Sequence, residues 1–179
     1  TKGQVIGDTE AFVSAPIHAS VSGKVTKVDS VLTSSGAMVP AVIIASDGED
    51  RVDPSLAPPV VTDRASFLAS VRASGLVGLG GAGFPTHVKL NPQPAIDTLV
   101  INGAECEPYI TSDYRECMEQ AEDIFYGIAA VQKYLEIPNV IIGIESNKPA
   151  AIKKLSEMAK DYPGVSVLTL PALYPQGAE

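Results

Sequence analysis

Metal-binding and nucleophilic residues are scarce in this chain of 179 residues, which holds two cysteines and two histidines. Cys106 and Cys117 form no CxxC pair and have no histidine at ligand spacing, so neither a zinc site nor an iron–sulfur cluster is encoded. Cys117 reads as a structural cysteine, and so few thiols fit a reducing cytosol. His18 and His87 have no acidic or nucleophilic neighbour in sequence, which leaves no Ser-His-Asp or Cys-His arrangement to argue from. Long apolar runs are missing too. None approaches the roughly 18–20 residues that cross a bilayer, and mean hydropathy is +0.16. No secretory pattern follows Thr1, and because the first residue is not Met the N-terminus is expected to be cut. Basic residues are outnumbered, 13 against 21 acidic ones, for a formal charge of -8 and a pI near 4.7. That balance argues against nucleic acid or an anionic membrane surface as a partner.

Glycine, in contrast, is concentrated. Residues 75–89 read GLVGLGGAGFPTHVK, with glycines at 75, 78, 80, 81 and 83. Glycine loses more entropy on ordering than any other residue, so such density belongs where backbone takes positive φ or lies directly against another group. Gly78 to Gly83 formally match GxGxxG, with Glu105 near the distance of a ribose-binding acid. A dinucleotide fingerprint, however, must leave a strand and enter a helix. Here a helix precedes the glycines and Pro85 follows them, so that reading is rejected. Two readings stay open: an anion nest of backbone N–H groups with Lys89 supplying charge, or a loop whose glycines merely permit close packing.

The chain in order suggests two parts. Residues 1–52 read as a small β module with strands at 4–6, 11–14, 23–31 and 38–45 separated by Gly3, Gly7, Gly23, Gly36 and Gly48. Residues 53–61 form a proline-rich linker. In the second part, residues 62–179, Thr62-Asp63 can cap a helix carrying Phe67, Leu68 and Val71, with Gly75 at a left-handed C-terminal cap. Strands are expected at 98–101, 140–144 and 165–170. Helices are expected at 113–135, opened by an Asp113/Glu116 capping box, and at 147–160, with Pro149 in its first turn. This β-α-β-α-β order implies a Rossmann-like α/β domain, with a mainly parallel sheet, helices on its faces and ligands beyond the carboxyl ends of its strands. Asn102-Gly103-Ala104-Glu105-Cys106-Glu107-Pro108-Tyr109 leaves the first of those strands. Glu105 and Glu107, two apart, can face one cleft and serve sugar hydroxyls or a metal; solvated surface acids are the alternative.

Several stretches also carry a family likeness. KGQVIG, VSAP and SGKV in residues 2–25 resemble the biotinyl/lipoyl barrel-sandwich pattern, although no lysine lies between Gly3 and Gly23 to carry a swinging arm. GLVGLGGAGFPTHVKL, VINGAECEPYITSDYR, IIGIESNKPAAI and the terminal LYPQGAE resemble the RnfC family, peripheral subunits of membrane-bound Rnf electron transport complexes. More distantly they resemble the flavin-binding subunit of respiratory complex I. The resemblance implies that Gly78, Gly80, Gly81, Gly83, Lys89, Asn102 and Glu105 contact FMN, and that Phe84, Glu107 and Glu179 belong to the NADH side. It implies no metal in this chain, with [4Fe-4S] clusters lying outside it, and a sequence truncated at both ends. The implied partners are the other subunits of an Rnf complex, at the cytoplasmic face of a bacterial membrane, with no transmembrane segment in the chain itself, which is expected to be soluble. Ala104, Cys106, Leu79 and Ala178 depart from the complex I pattern, where Asp, Gly, Arg and Glu stand. A cobalamin reductase of bacterial microcompartments within the same superfamily, and a docking module without catalysis, are the rival readings.

Overall fold

The computed structural model describes residues 1–79, 83–93 and 96–177. It divides into two compact units, Thr1–Asn91 and Pro92–Glu179. The division falls after the proline-rich segment at 53–61, so both short helices that follow that segment belong to the first unit.

In the first unit, β1 (Val5–Gly7) pairs antiparallel with β2 (Ile17–His18), and β3 (Gly23–Leu32) pairs antiparallel with β4 (Met38–Ser46). The strand expected at 11–14 is instead an exposed bend. Its Ser14 hydroxyl donates to the Ala11 carbonyl at 2.5 Å, and Phe12 and Val13 are exposed, so a short apolar run without a partner strand among the described residues does not make a sheet. Ser22, fully buried, closes the base of the β3–β4 hairpin by donating to Asp47 Oδ1 at 2.6 Å and accepting from Arg51 N at 3.0 Å. Helix α1 (Arg64–Ala73) starts as the sequence implies. Asp63 accepts from Ser66 N at 2.8 Å, the Ser66 hydroxyl accepts from Asp63 N at 3.0 Å, and Gly75 takes φ +71 beyond the helix end.

The second unit is built on a parallel sheet. β5 (Thr98–Gly103), β6 (Asn139–Glu145) and β7 (Val165–Leu170) lie in the order β5-β6-β7, with Leu99 opposite Val140, Ile101 opposite Ile142 and Ile142 opposite Val167. Alternation sends those residues to one side, where they meet Cys117, Ala121, Phe125, Ile128, Ala151 and Leu155 in a single apolar core. Among the described residues, this unit's helical core contacts all come from one face, while Val100 and Leu168, on the opposite face, are exposed.

The helix expected at 113–135 is two helices, α3 (Ser112–Glu119) and α4 (Ala121–Leu135), broken at Gln120 with φ -127 and ψ 30. The break lets Cys117 and Ala121 both reach the core. The expected Asp113/Glu116 capping box does not form. The cap position is Thr111, which makes no side-chain cap bond, and the Asp113 N–H is taken by a residue outside the helix. After α4, Glu136 turns into the left-handed region at φ 56, and Pro138 follows. Helix α5 (Pro149–Met158) begins with proline, whose missing N–H costs nothing at a first turn.

Candidate functional site

In the first unit the glycine-rich segment is closed at its base. Val77 and Pro85 form an antiparallel bridge, Gly78 N donates to Phe84 O at 2.9 Å, and Thr86 N donates to Leu76 O at 3.0 Å. The loop leads into the four-residue helix α2 (Thr86–Lys89), which Pro85 precedes in extended conformation. That turn brings Lys89 back against Gly78: a Cβ added at Gly78 would lie 2.9 Å from Lys89 Nζ. Any side chain at Gly78 therefore displaces the ammonium from the backbone it covers. Gly83 has φ +65 and is exposed, as are Leu79 and Phe84. The Nδ1 of His87 is buried with no hydrogen-bond partner among the described residues. Gly80 and Gly81 lie outside the described residues, and so does Glu179.

In the second unit the carboxyl edge of the sheet gathers the polar groups. Asn102, at the end of β5, accepts from Ala104 N at 3.1 Å and donates through Nδ2 to Gly177 O at 3.0 Å. The approach is tight, since a Cβ at Gly177 would sit 2.6 Å from the Ala104 carbonyl oxygen. The VINGAECEPY stretch and the terminal LYPQGAE thus meet within one unit. Glu105 and Glu107, expected to face one cleft, have opposite environments. Glu107 is exposed, whereas the Glu105 side chain is 1% exposed and turns inward. Glu105 Oε1 accepts from Asp113 N at 2.8 Å and from the Ser112 hydroxyl at 3.5 Å, and so caps α3 from a neighbouring loop. Glu105 Oε2 is buried without a hydrogen-bond partner among the described residues.

Two residues here carry no functional reading in the sequence. Glu145, at the end of β6, is 2% exposed at its side chain, and Lys148, just before α5, is 14% exposed. Lys148 Nζ donates to Glu145 Oε2 at 3.0 Å and to the Glu105 carbonyl at 2.8 Å, and lies 3.7 Å from Glu105 Oε2. The available signal is a charge ending the apolar run VIIGI, followed by a second charge immediately before Pro149.

Charge of one sign accumulates at this edge. Burial raises the Asp113 carboxyl above the usual carboxylate range, and the nearby charges of Glu105 and Glu116 raise it further. Burial also pushes the Cys117 thiol up. The sign for stability follows directly. With its folded value raised, Asp113 retains its proton in the folded chain after the unfolded chain has lost it, so folding weakens as pH rises above the ordinary carboxylate range. Asp113→Asn is therefore expected to raise the melting temperature at pH 7.5, with the gain shrinking towards pH 4. Equal melting temperatures for variant and parent at pH 7.5 would contradict this.

The geometry defines a parallel α/β domain with a polar cluster at the carboxyl edge of its strands, and a β module elsewhere in the chain. Comparison with known families makes this specific. Residues 71–179 match the Nuo51 FMN-binding domain, and residues 1–49 match the RnfC barrel sandwich hybrid domain. The chain belongs to the Nuo51 FMN-binding domain family and joins that domain to an RnfC-type N-terminal module. It is 43% identical, over 99% of its length, to the C subunit of the Na+-translocating ferredoxin:NAD+ oxidoreductase complex of Acetobacterium woodii, of which it covers 41%. It is 41% identical, again over 99% of its length, to the C subunit of the proton-translocating ferredoxin:NAD+ oxidoreductase complex of Clostridium ljungdahlii, covering 40% of that protein. With the C subunit of the ion-translocating oxidoreductase complex of Rhodobacter capsulatus it shares 42% identity over 99% of its length and 36% of the relative's. The chain thus spans about two fifths of the length of these relatives.

Proposed function

We propose that this chain supplies the FMN-binding part of the C subunit of an ion-translocating ferredoxin:NAD+ oxidoreductase, in which NADH is oxidised through the flavin. The residues suit that cofactor. Gly78 leaves open the space a Cβ would fill, with the Lys89 ammonium 2.9 Å from it, a pairing of bare backbone and positive charge that fits a phosphate. We assign Gly78, Gly80, Gly81, Gly83, Lys89, Asn102 and Glu105 to FMN, and Phe84, Glu107 and Glu179 to NADH.

The observation that supports this reading best is the junction of Asn102 with Gly177 beside Glu105, at the carboxyl edge of a parallel sheet. Open α/β sheets bind their ligands at that edge. Held by these residues, FMN would supply acceptance of hydride from NADH and release of electrons singly. The chain's own contribution is to hold and orient. Lys89 offers charge to the phosphate, Asn102 and Gly177 keep the end of β5 against the C-terminal motif, and Glu105 fixes the start of α3. Electron transfer to [4Fe-4S] clusters outside these residues, association with the other subunits of the complex, and a position at the cytoplasmic face of the membrane complete the proposal. No helix among the described residues is long and apolar enough to cross a membrane.

Titration of FMN into the full-length protein, followed by flavin fluorescence, tests the reading. Saturable quenching is expected, and its absence at high micromolar protein would sink the proposal. Glu105→Gln and Gly81→Val are each expected to weaken FMN binding by about tenfold or more, a loss of roughly 1.4 kcal/mol. Unchanged affinity in both would defeat the residue assignment.

A further inference from the structure

We infer that Lys148 is a positioning residue of the flavin site and acts through Glu105; this rests on the FMN reading above. Of the residues assigned to the cofactor, Lys148 contacts Glu105, and does so twice. Its Nζ donates to the Glu105 carbonyl at 2.8 Å and lies 3.7 Å from Glu105 Oε2, the buried oxygen that has no hydrogen-bond partner among the described residues. A further bond runs to Glu145 Oε2 at 3.0 Å, on the adjacent strand exit. One ammonium therefore stands between two carboxylates that are each almost wholly removed from water. Removing the cation leaves two like charges buried and uncompensated, and these are relieved only by protonation or by movement of the chain.

Which segment moves is set by the other ties. Glu145 ends β6 and is held by the ladder, with Ser146 N donating to Leu170 O at 2.8 Å immediately after it. Glu105 lies beyond the end of β5, in a stretch without regular structure. It is tied to α3 by its carboxylate and to the β6–α5 turn by its carbonyl, and that second tie is Lys148. The backbone fixed in this way leads straight into Cys106 and the exposed Glu107. Lys148 is itself placed by a tight turn, in which its own N–H donates to Glu145 O at 3.0 Å before Pro149 starts α5. A cation set on a hydrogen-bonded turn thus determines where the flavin-binding loop sits.

A structural ion pair and a positioning contact respond differently to substitution. Loss of either Lys148 or Glu145 disturbs the pair and lowers stability, but only loss of Lys148 frees the Glu105 backbone. Four variants of the full-length protein separate the two: K148M, K148Q, K148R and E145Q. Each is followed by thermal melting without cofactor and by FMN affinity from fluorescence quenching. Expected are a Kd for FMN raised about tenfold or more in K148M, and about threefold or more in K148Q, with K148R and E145Q within about threefold of the parent. The melting temperature falls in both K148M and E145Q. A folded K148M with parental affinity overturns the inference, as does an E145Q Kd raised as far as that of K148M. If K148M does not fold, K148Q with parental affinity overturns it equally. A parent that binds no FMN removes the flavin reading itself, and the inference with it. A parent that binds, together with insensitive Lys148 variants, removes the inference alone.

Discussion

Phe125→Ala is expected to destabilise the unit of residues 92–179 by about 3–5 kcal/mol, the range for deleting a fully buried aromatic ring. Phe125 has no exposed surface and stands in the centre of the apolar core, its ring centroid 4.7 Å from that of Tyr162 at a 42° tilt. The sheet supplies one wall of that core through Val140, Ile142 and Ile144, and α5 supplies another through Ala151 and Leu155. With both walls fixed by backbone hydrogen bonds, the site has little means of collapsing into the space left by a ring. Because a domain is stable by only about 5–15 kcal/mol in total, such a loss removes much of the margin. Urea unfolding followed by circular dichroism checks it: the midpoint should fall while the slope is unchanged. A midpoint shift equivalent to less than about 1 kcal/mol would show that this ring is not the centre of the core.

Gly164→Ala is expected to cost about 2–6 kcal/mol, from two independent causes. Gly164 takes φ +78 in the turn before β7, a conformation that costs a residue with Cβ about 1–3 kcal/mol. In addition, an added Cβ would lie 2.0 Å from the Pro138 carbonyl oxygen, which is backbone and cannot swing aside. Overpacking of this kind costs about 1–3 kcal/mol more. The clash falls where Val140 N donates to Gly164 O at 2.8 Å, so relief would pull the entry of β6 away from that of β7. Gly127→Ala is the internal control. Gly127 lies inside α4 with open space around its Cα, and alanine there should stabilise by about 0.5–1 kcal/mol. If both substitutions shift the urea midpoint alike, the steric account of Gly164 is wrong.

Elements with a strong local pattern are legible in the residues themselves. The strand at 165–170 and the helix capped by Asp63 follow from periodicity and capping chemistry, which act within a few residues. Likewise Gly75 at φ +71 follows from its place just past the end of an amphipathic stretch. The departures have a common origin. The bend at 11–14 is a short apolar run with no partner strand among the described residues, and the break at Gln120 leaves an apolar spacing that reads as one helix. Asp113 with Glu116 satisfies the local rule for a capping box, yet its N–H is claimed by Glu105 from another loop. In each case a contact distant in sequence, or the lack of one, outweighs a local preference worth about 1 kcal/mol or less.

For the site, sequence alone determined which stretches are candidates. The density of glycine at 75–83 and the acids after β5 are read directly from residue type and spacing, whereas the terminal motif is picked out by the family resemblance. What only the tertiary structure decided is the fate of each charge. Glu105 and Glu107 are two apart and chemically identical, but one is buried as the cap of α3 and the other is exposed. Lys148 joins Glu105 across a sequence separation that no local pattern encodes. The two meet because β5 and β6 are parallel and in register at Gly103 and Ile144, so that both chains leave the sheet at the same edge. Burial then selects the partner, since a carboxylate withdrawn from water is stable only beside a donor or a cation.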